Sequence, residues 1–414
     1  MDKKTDRKVP QSRFQRHRMP RTRSSRNILT LIVLILLIAG GIYLTFGLKS
    51  EKASTKAEKN DGLHKEQVIK TTTKQETKQD VRKGETQTTV PEPVTETSIK
   101  ISAAGDFTLG TDETFKYSDS FVKTATANGL PYFVKGLNDI FKNDDFTTVN
   151  LETTLTNATQ KAQKTFRFKG DPTYAQILKL GGIEAVNLAN NHIHDYLEKG
   201  YADTISTLEN QQIGYFGYDH QFITTVKGVK IGALGYEGWN DTAEVRNRTA
   251  QDIKNLRSQG AQIILVHYHW GNEGHYVPEG SQKTLAHFTI DSGADLVLGH
   301  HPHVVQGIEE YKGKFIVYSL GNFMFGGNRN PRDKDTFVFQ QTFHLKNGVL
   351  TDQKEINVVP FSISSVSSRN NYQPTLLTGA EHDRVKNKII DASNKINGSD
   401  WLVYENKDQV AKNK

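Results

Sequence analysis

The chain has 414 residues and no cysteine. That absence excludes disulfides and thiolate zinc sites, and it leaves His, Asp, Glu and Asn as the ligands open to any metal. No dinucleotide fingerprint, no P-loop and no internal repeat is present, so the sequence offers no phosphate-cradling loop and no solenoid. A basic surplus is missing too once the first segment is set aside. Residues 1–27 carry a local charge of +8, from ten Lys or Arg against Asp2 and Asp6, so the net +7 leaves about −1 for everything beyond Asn27. A nucleic-acid partner is therefore not expected. The 36% hydrophobic content is ample for one large domain or two smaller ones.

Long apolar runs are scarce as well, with one exception. From Ile28 to Leu48 stand 21 residues without a charge, enough to cross the hydrocarbon core as a helix. The basic block precedes them, so the positive-inside rule places residues 1–27 in the cytoplasm and the chain after Lys49 outside. A cleaved signal peptide is the alternative. Its apolar region would be shorter, and no small-residue A-x-A site follows Phe46, so an uncleaved single-pass anchor is expected. Residues 49–97 are rich in Lys, Glu, Thr and Gln and are closed by Pro91 and Pro93. Such a composition buries too little apolar surface to order itself, and it reads as a disordered linker. A folded domain is expected over 98–404, followed by a polar tail at 405–414.

Within that domain, hydrophobic strands alternate with helical patterns, and polar residues recur just after the strands. IKISAAGDF ends on Asp106. DFTTVNLET delivers Asn150 and Glu152, two residues apart and so on one side of a strand. IEAVNLANNHIHD runs into Asn190, Asn191, His192, His194 and Asp195, and AQIILVHYHWG carries His267 and His269 at strand spacing. DLVLGHHPHVVQ presents His300, His301 and His303 at the mouth of a buried strand, and FIVYSLGNFMF brings Asn322 after a sixth strand. Helices are predicted over 131–141, 172–180, 197–211, 250–259, 281–291 and 381–396, with a hairpin turning at Lys346-Asn347-Gly348. This alternation implies an α/β fold with a largely parallel or mixed sheet covered by helices. Its carboxyl edge is where α/β proteins usually bind ligands. Three imidazoles in four positions make a poor core and a good metal site; a solvated loop is the plain alternative, and the further His, Asn and carboxylate groups favour the metal.

The words GDFTLG, NLETTLT, NLANNHIHDY, HWG, GADLVLGHHPHVVQ and YSLGNFMF, in this order over about 98–325, resemble the CapA (PgsA) family of capsule and poly-gamma-glutamate biosynthesis proteins, part of the calcineurin-like metallophosphoesterase superfamily. The resemblance implies a sandwich of mixed sheets flanked by helices behind a single N-terminal transmembrane helix. It implies metal ligation by Asp106, Glu152, Asn191, His269, His301 and His303, holding one or two divalent ions of manganese, iron or zinc. His192 is implied as the residue that faces the substrate, as acid or charge stabiliser, with Asp195 orienting it or capping the next helix. This sequence also departs from the pattern. The superfamily's opening Asp-x-His reads Asp106-Phe107-Thr108, one imidazole short, and Glu152 replaces the bridging Asp. Leu197 stands where a Gly commonly follows the Asp-Tyr pair, and Gly274-His275 interrupts the sequel to HWG.

Asn150, Glu237, His275 and Asn322 are further candidates for substrate contact. Their plainer readings are a companion to Glu152, a surface carboxylate beside Trp239, a solvated loop His, and a side chain tying the next turn to backbone. Arg167 reads as an exposed strand charge before an anion contact, and the NRNPRDKD stretch as a polar loop at a cleft rim. The function expected is that of a cell-membrane protein whose main domain lies outside and holds a metal-dependent, hydrolase-like site. It would serve the synthesis, export or anchoring of an anionic capsule-type polymer, poly-gamma-glutamate by family implication, beside membrane synthase subunits. The alternatives are an extracytoplasmic phosphatase or phosphodiesterase acting on wall or lipid-linked phosphate, and a non-catalytic polymer-binding scaffold.

Overall fold

The computed structural model describes residues 94–406. The basic segment, the expected membrane helix at 28–48, nearly all of the linker and most of the polar tail lie outside the described residues. Among the described residues no helix is long and apolar enough to cross a membrane.

Mixed α/β sheets flanked by helices build the domain. The larger sheet runs Thr375–Leu376, Val349–Ser362, Asp335–Lys346, Glu96–Thr108, Phe146–Leu151, Ala185–Asn187 and Gly214–Phe216, and Asn322–Phe325 pairs in parallel with the end of Glu96–Thr108. The second sheet runs Ile308–Tyr311, Lys314–Val317, Leu296–His300, Ile263–His269, Val229–Glu237 and Phe222–Val226. A small third sheet joins Thr111–Asp112, Phe168–Gly170 and Thr154–Leu155.

Successive side chains of a strand face opposite ways, and the apolar residues sort accordingly. Ile263, Leu265, Leu296 and Leu298 join Ile99, Ile101 and Ala103 in one buried cluster shared by both large sheets. Ile264, Val266 and Val297 turn the other way, onto Leu256 and Leu285 of the helices Ala243–Ser258 and Gly280–Asp291. On the far side, Val149, Val186 and Phe323 pack with Phe121, Phe133, Leu178 and Leu208. The order is helix, sheet, sheet, helix. Strands covered on both faces must be apolar throughout, which is why they read as continuous runs.

The helix predicted at 197–211 occupies Leu197–Gln211, and that at 281–291 starts one residue earlier, at Gly280, behind a capping box formed by Glu279 and Gln282. The helix predicted at 250–259 begins at Ala243, because the Thr242 side chain accepts from the Val245 N–H and caps a stretch too polar to show periodicity. At 131–141 the chain forms a 3-10 turn, Leu130–Leu137, and a true helix precedes it at Phe121–Asn128. The hairpin turns as predicted, with φ of 52° at Asn347 and 75° at Gly348. In FIVYSLGNFMF Asn322 follows a strand, as expected, and itself opens a further one. Lys314–Val317 belongs to the second sheet and Asn322–Phe325 to the first, with Gly321 at φ 74° where the chain crosses. Leu197 adopts φ 57°, a left-handed conformation that suits the Gly the family pattern places there.

Gly105, one residue before Asp106, sits against this crossing. A Cβ built on it would lie 1.9 Å from the Gly321 carbonyl oxygen, which accepts the Asp106 N–H at 3.0 Å. Backbone faces backbone here, so no side chain can yield. Gly105→Ala is expected to cost about 3 kcal/mol in urea unfolding, the upper end of ordinary overpacking.

Candidate metal centre

Strand register gathers the polar residues. In the larger sheet Asp106 pairs with Asn150 on one side and Asn322 on the other, and Asn150 pairs with Asn187. In the second sheet His269 pairs with His300 and Glu237. His269 keeps the face of Ile263 and Leu265, so it projects between the sheets. There the two rows meet. Asn150 Nδ2 donates to Asp106 Oδ1 at 2.8 Å and lies 3.3 Å from His269 Nδ1, while His269 Nε2 is 2.9 Å from Asn191 Oδ1.

Asp106 and Glu152 are both fully buried, with opposite outcomes. Burial pushes the Asp106 carboxyl up, but hydrogen bonding and charge from His300 and His303 together outweigh it and hold the group well below the usual carboxylate range. His300 Nδ1 lies 3.4 Å from one Asp106 oxygen, His303 Nδ1 lies 3.3 Å from the other, and the His301 N–H donates to the second at 3.3 Å. For Glu152, burial and the nearby charge of Asp106 prevail over the attraction of His303, and its carboxyl is pushed well above the usual value. Neither Glu152 oxygen has a hydrogen-bond partner; His269 Nε2 and His303 Nε2 stand 3.5 and 3.8 Å away.

The imidazoles divide in the same manner. Burial, aided by the charge of His303, pushes His301 down to about 3, and its buried Nδ1 is unpartnered. Burial and then His301 hold His269 well below its usual value. His303 is the exception: burial opposes its charge, yet Glu152 and Asp106 raise it to about 10. His301 and His303 both have positive φ, 93° and 55°, a conformation that costs non-glycine residues about 1–3 kcal/mol each and clusters at functional sites.

These residues fit a divalent cation. Glu152, His301 and His303 offer ligand atoms that all lie within 4.8 Å of one another. A buried carboxylate without a hydrogen bond is costly to keep, and a cation would satisfy it. Oxygen and imidazole donors without thiolate suit manganese, iron or zinc.

Beside this cluster opens a cleft of about 560 Å³, lined in part by His192, His303, Asn322 and Phe325. His192 Nδ1 lies 2.7 Å from Asp195 Oδ2, and its ring packs on Phe168 with centroids 4.3 Å apart. Burial lowers its pKa, against the pull of Asp195. Asp195 also accepts from Lys164 Nζ at 2.7 Å and from the Phe168 N–H at 2.6 Å. It therefore orients His192 and does not cap the helix Leu197–Gln211, whose N-cap is Tyr196 without a side-chain bond.

The other sequence candidates fall on different surfaces. Asn150 is sealed beneath Asp106 and accepts from Asn187 at 2.9 Å, so it supports the carboxylate and cannot meet a substrate. Asn322 reaches the cleft wall and fixes His303, with Oδ1 2.9 Å from the ring and Nδ2 donating to the His303 carbonyl at 3.1 Å. Glu237 is half-buried at its strand end; Trp239 beyond it stands edge-on to His301, with centroids 4.6 Å apart. His275 is exposed, 3.6 Å from Glu279, between Gly274 and Tyr276 of the cleft lining. Arg167 donates to the Lys164 carbonyl at 2.6 Å. Sequence reasoning missed Lys164, the His267–His300 pair whose rings meet at 2.8 Å behind Asp106, and a cleft wall of Phe115, Tyr117, Phe166 and Tyr276. The triple imidazole word pointed to His300; Lys164 and the aromatic wall lie in no motif.

The sequence profile of the bacterial capsule synthesis protein family PGA_cap matches residues 100–327. The chain belongs to PGA_cap. Every residue of the cluster falls within that stretch. The chain is also similar to several bacterial proteins along much of their length. It is 29% identical over 313 residues to the capsule biosynthesis protein CapA of Bacillus anthracis, covering 69% of this chain and 72% of that one. It is 28% identical over 269 residues to the PGA biosynthesis protein CapA of Bacillus subtilis strain 168, covering 60% and 68%. A probable polyglutamine synthesis accessory protein of Mycobacterium tuberculosis is 27% identical over 255 residues, covering 53% and 66%.

Glu152 tests the arrangement in the metal-free protein. Its raised folded-state value means that the neutral form suits the fold, so wild-type stability declines as pH rises above the ordinary Glu value of 4.5. Glu152→Gln removes that decline. In chelator at pH 7.5 it is expected to gain about 1–3 kcal/mol in urea unfolding, with the gain fading below pH 4.5.

Proposed function

We propose that this PGA_cap protein is a membrane-anchored, extracytoplasmic component of capsule-polymer assembly, and that its cleft is a metal-dependent hydrolytic centre of the calcineurin-like metallophosphoesterase kind. One observation carries the reading of the site: the Glu152 carboxylate is buried beside imidazoles with both oxygens unpartnered. The polymer reading is supported by the relatives' names, capsule biosynthesis protein and PGA biosynthesis protein, with poly-gamma-glutamate implied by the family resemblance. The anchor rests on the uncharged run 28–48 behind a basic segment.

Asp106, Glu152, Asn191, His269, His301 and His303 would hold the metal. When bound, a divalent cation supplies Lewis acidity toward a substrate oxygen and lowers the pKa of water. The chain's own groups do the rest. Asp195 fixes His192 through Nδ1, so the Nε2 edge is the one left to give or take a proton at the reacting oxygen. Lys164 holds Asp195 in place, Asn322 fixes the His303 ring, and the aromatic wall restricts water. One feature favours a second reading, a polymer-binding scaffold with a single ion. Thr108 stands where the superfamily has an imidazole, its hydroxyl is buried without a partner, and the compact ligand group comprises only Glu152, His301 and His303.

Metal analysis of the purified full chain, followed by assay on an aryl phosphodiester, separates the two. The hydrolytic reading predicts bound metal and turnover that falls about 10²–10⁴-fold in His192→Ala with metal retained. Retained metal with no turnover under replete conditions would leave the scaffold. In cells, loss of surface polymer on gene deletion is expected to be reversed by the wild type and not by Asp106→Ala. Metal uptake should also depend on pH with a definite sign. His303 must release its proton to ligate, and its metal-free value is about 10. Glu152, itself held toward its neutral form, must also ionise to ligate, so apparent affinity is expected to rise with pH between 6 and 9 by about tenfold per pH unit for each proton released. Calorimetry in buffers of different ionisation enthalpy reads the released proton.

A further inference from the structure

The loop 326–334, which closes the cleft on one side, also walls a second groove. Arg332 and Asp333 line both. The second groove, about 520 Å³, continues past Lys334 to a hydroxyl-rich wall that includes Ser362, Ser365 and Ser367. The two depressions therefore meet along one short piece of backbone.

The charges at this junction do not cancel. Asp333 is engaged by Lys388 at 2.5 Å and by the Tyr276 hydroxyl at 2.9 Å. Asp335 is engaged by Arg384 at 2.7 Å and Lys388 at 2.9 Å, and Glu381 by Arg384 at 2.9 Å. Arg329 is taken up by Asp119 at 2.9 Å. Arg332 is exposed and has no acidic partner among the described residues, and Lys334 reaches only the Pro331 carbonyl, at 3.3 Å. The uncommitted charge on this loop is thus positive, presented by a guanidinium and an ammonium two residues apart, while the exposed Glu273 carboxylate also lines the cleft.

We propose that the metal-centre cleft and the second groove form one track for an extended, carboxylate-bearing chain, with Arg332 and Lys334 as the cationic subsite between them. The inference rests on the polymer reading above and adds to it that the protein grips the interior of a chain, not only its end. The aromatic faces of the cleft suit the methylene stretches between successive carboxylates, and the cationic junction suits the carboxylates themselves. Exposed cations attract through solvent, so their contribution fades with added salt.

The test uses the full chain in detergent, metal-loaded, with labelled poly-gamma-glutamate as a long fraction and as the γ-linked trimer, read by fluorescence anisotropy. The wild type is expected to bind the long fraction at least about tenfold more tightly than the trimer, because the long chain occupies both subsites. Arg332→Glu/Lys334→Glu is expected to lose that advantage at unchanged metal content and thermal midpoint. Retention of the length preference in the double variant would overturn the track. Polyphosphate of matched length binding as tightly as the polypeptide would overturn the carboxylate assignment. Failure of the wild type to bind poly-gamma-glutamate of either length would instead reject the polymer reading on which the track rests.

Discussion

Two carboxylates buried between two sheets set the terms for this fold. Asp106 and Glu152 have no access to solvent, and only one of them receives enough donors to stay charged without strain. Removing a carboxylate from water costs several kcal/mol unless charge or hydrogen bonds replace the lost hydration. The surroundings answer with imidazoles. His300 and His303 flank Asp106, and His269 and His303 approach Glu152. Glu152 and Asp106 raise His303 against its burial, so that its proton balances part of the negative charge in the metal-free protein, while burial lowers His269 and His301. A sandwich built for stability alone would place leucine here. Tolerating the carboxylates makes sense where a cation is to be gripped, and the same positions then explain the left-handed backbone at His301 and His303.

The architecture follows from the need to bring such groups together from distant parts of the chain. Each parallel strand ends at the same edge, so a polar residue placed just after an apolar run arrives beside others of its kind. Asp106, Asn150 and Asn187 come from three adjacent strands in one sheet, and His269 and His300 from two in the other. Face-to-face packing of the sheets through Ile101, Leu265 and Leu298 lets the two rows touch. The aliphatic core thereby fixes the spacing of the polar cluster, and the cluster inherits the rigidity of the core.

Much of this could be read from residues alone, because buried strands announce themselves as apolar runs and their polar terminators stand out. The helix Leu197–Gln211 and the hairpin at Asn347-Gly348 are written in local pattern, amphipathic spacing in one case and turn chemistry in the other. Local pattern gave less elsewhere. Two- and three-residue strands such as Thr111–Asp112 and Thr154–Leu155 are too short to show a period and exist through pairing with Phe168–Gly170. The helix Ala243–Ser258 is polar over its first turns and starts at a cap, not at an apolar residue. Asn150 lay beside Glu152 in the chain but serves Asp106 in space, since cross-strand register, invisible in one sequence, decides its partner. Lys164 reaches Asp195 from a loop with no periodicity, and nothing in its neighbourhood marks it.

The crossing at Gly321 carries a mechanical meaning. One ribbon lies in the second sheet up to Val317 and in the first from Asn322 onward, and Asn322 is the residue that clasps the His303 ring. Any sliding of one sheet across the other must pull on this ribbon and turn His303 away from Asp106 and Glu152. The cluster thus acts as a strain gauge for the sandwich: forces that shear the layers would be felt first as a change in the spacing of Asp106, Glu152 and His303.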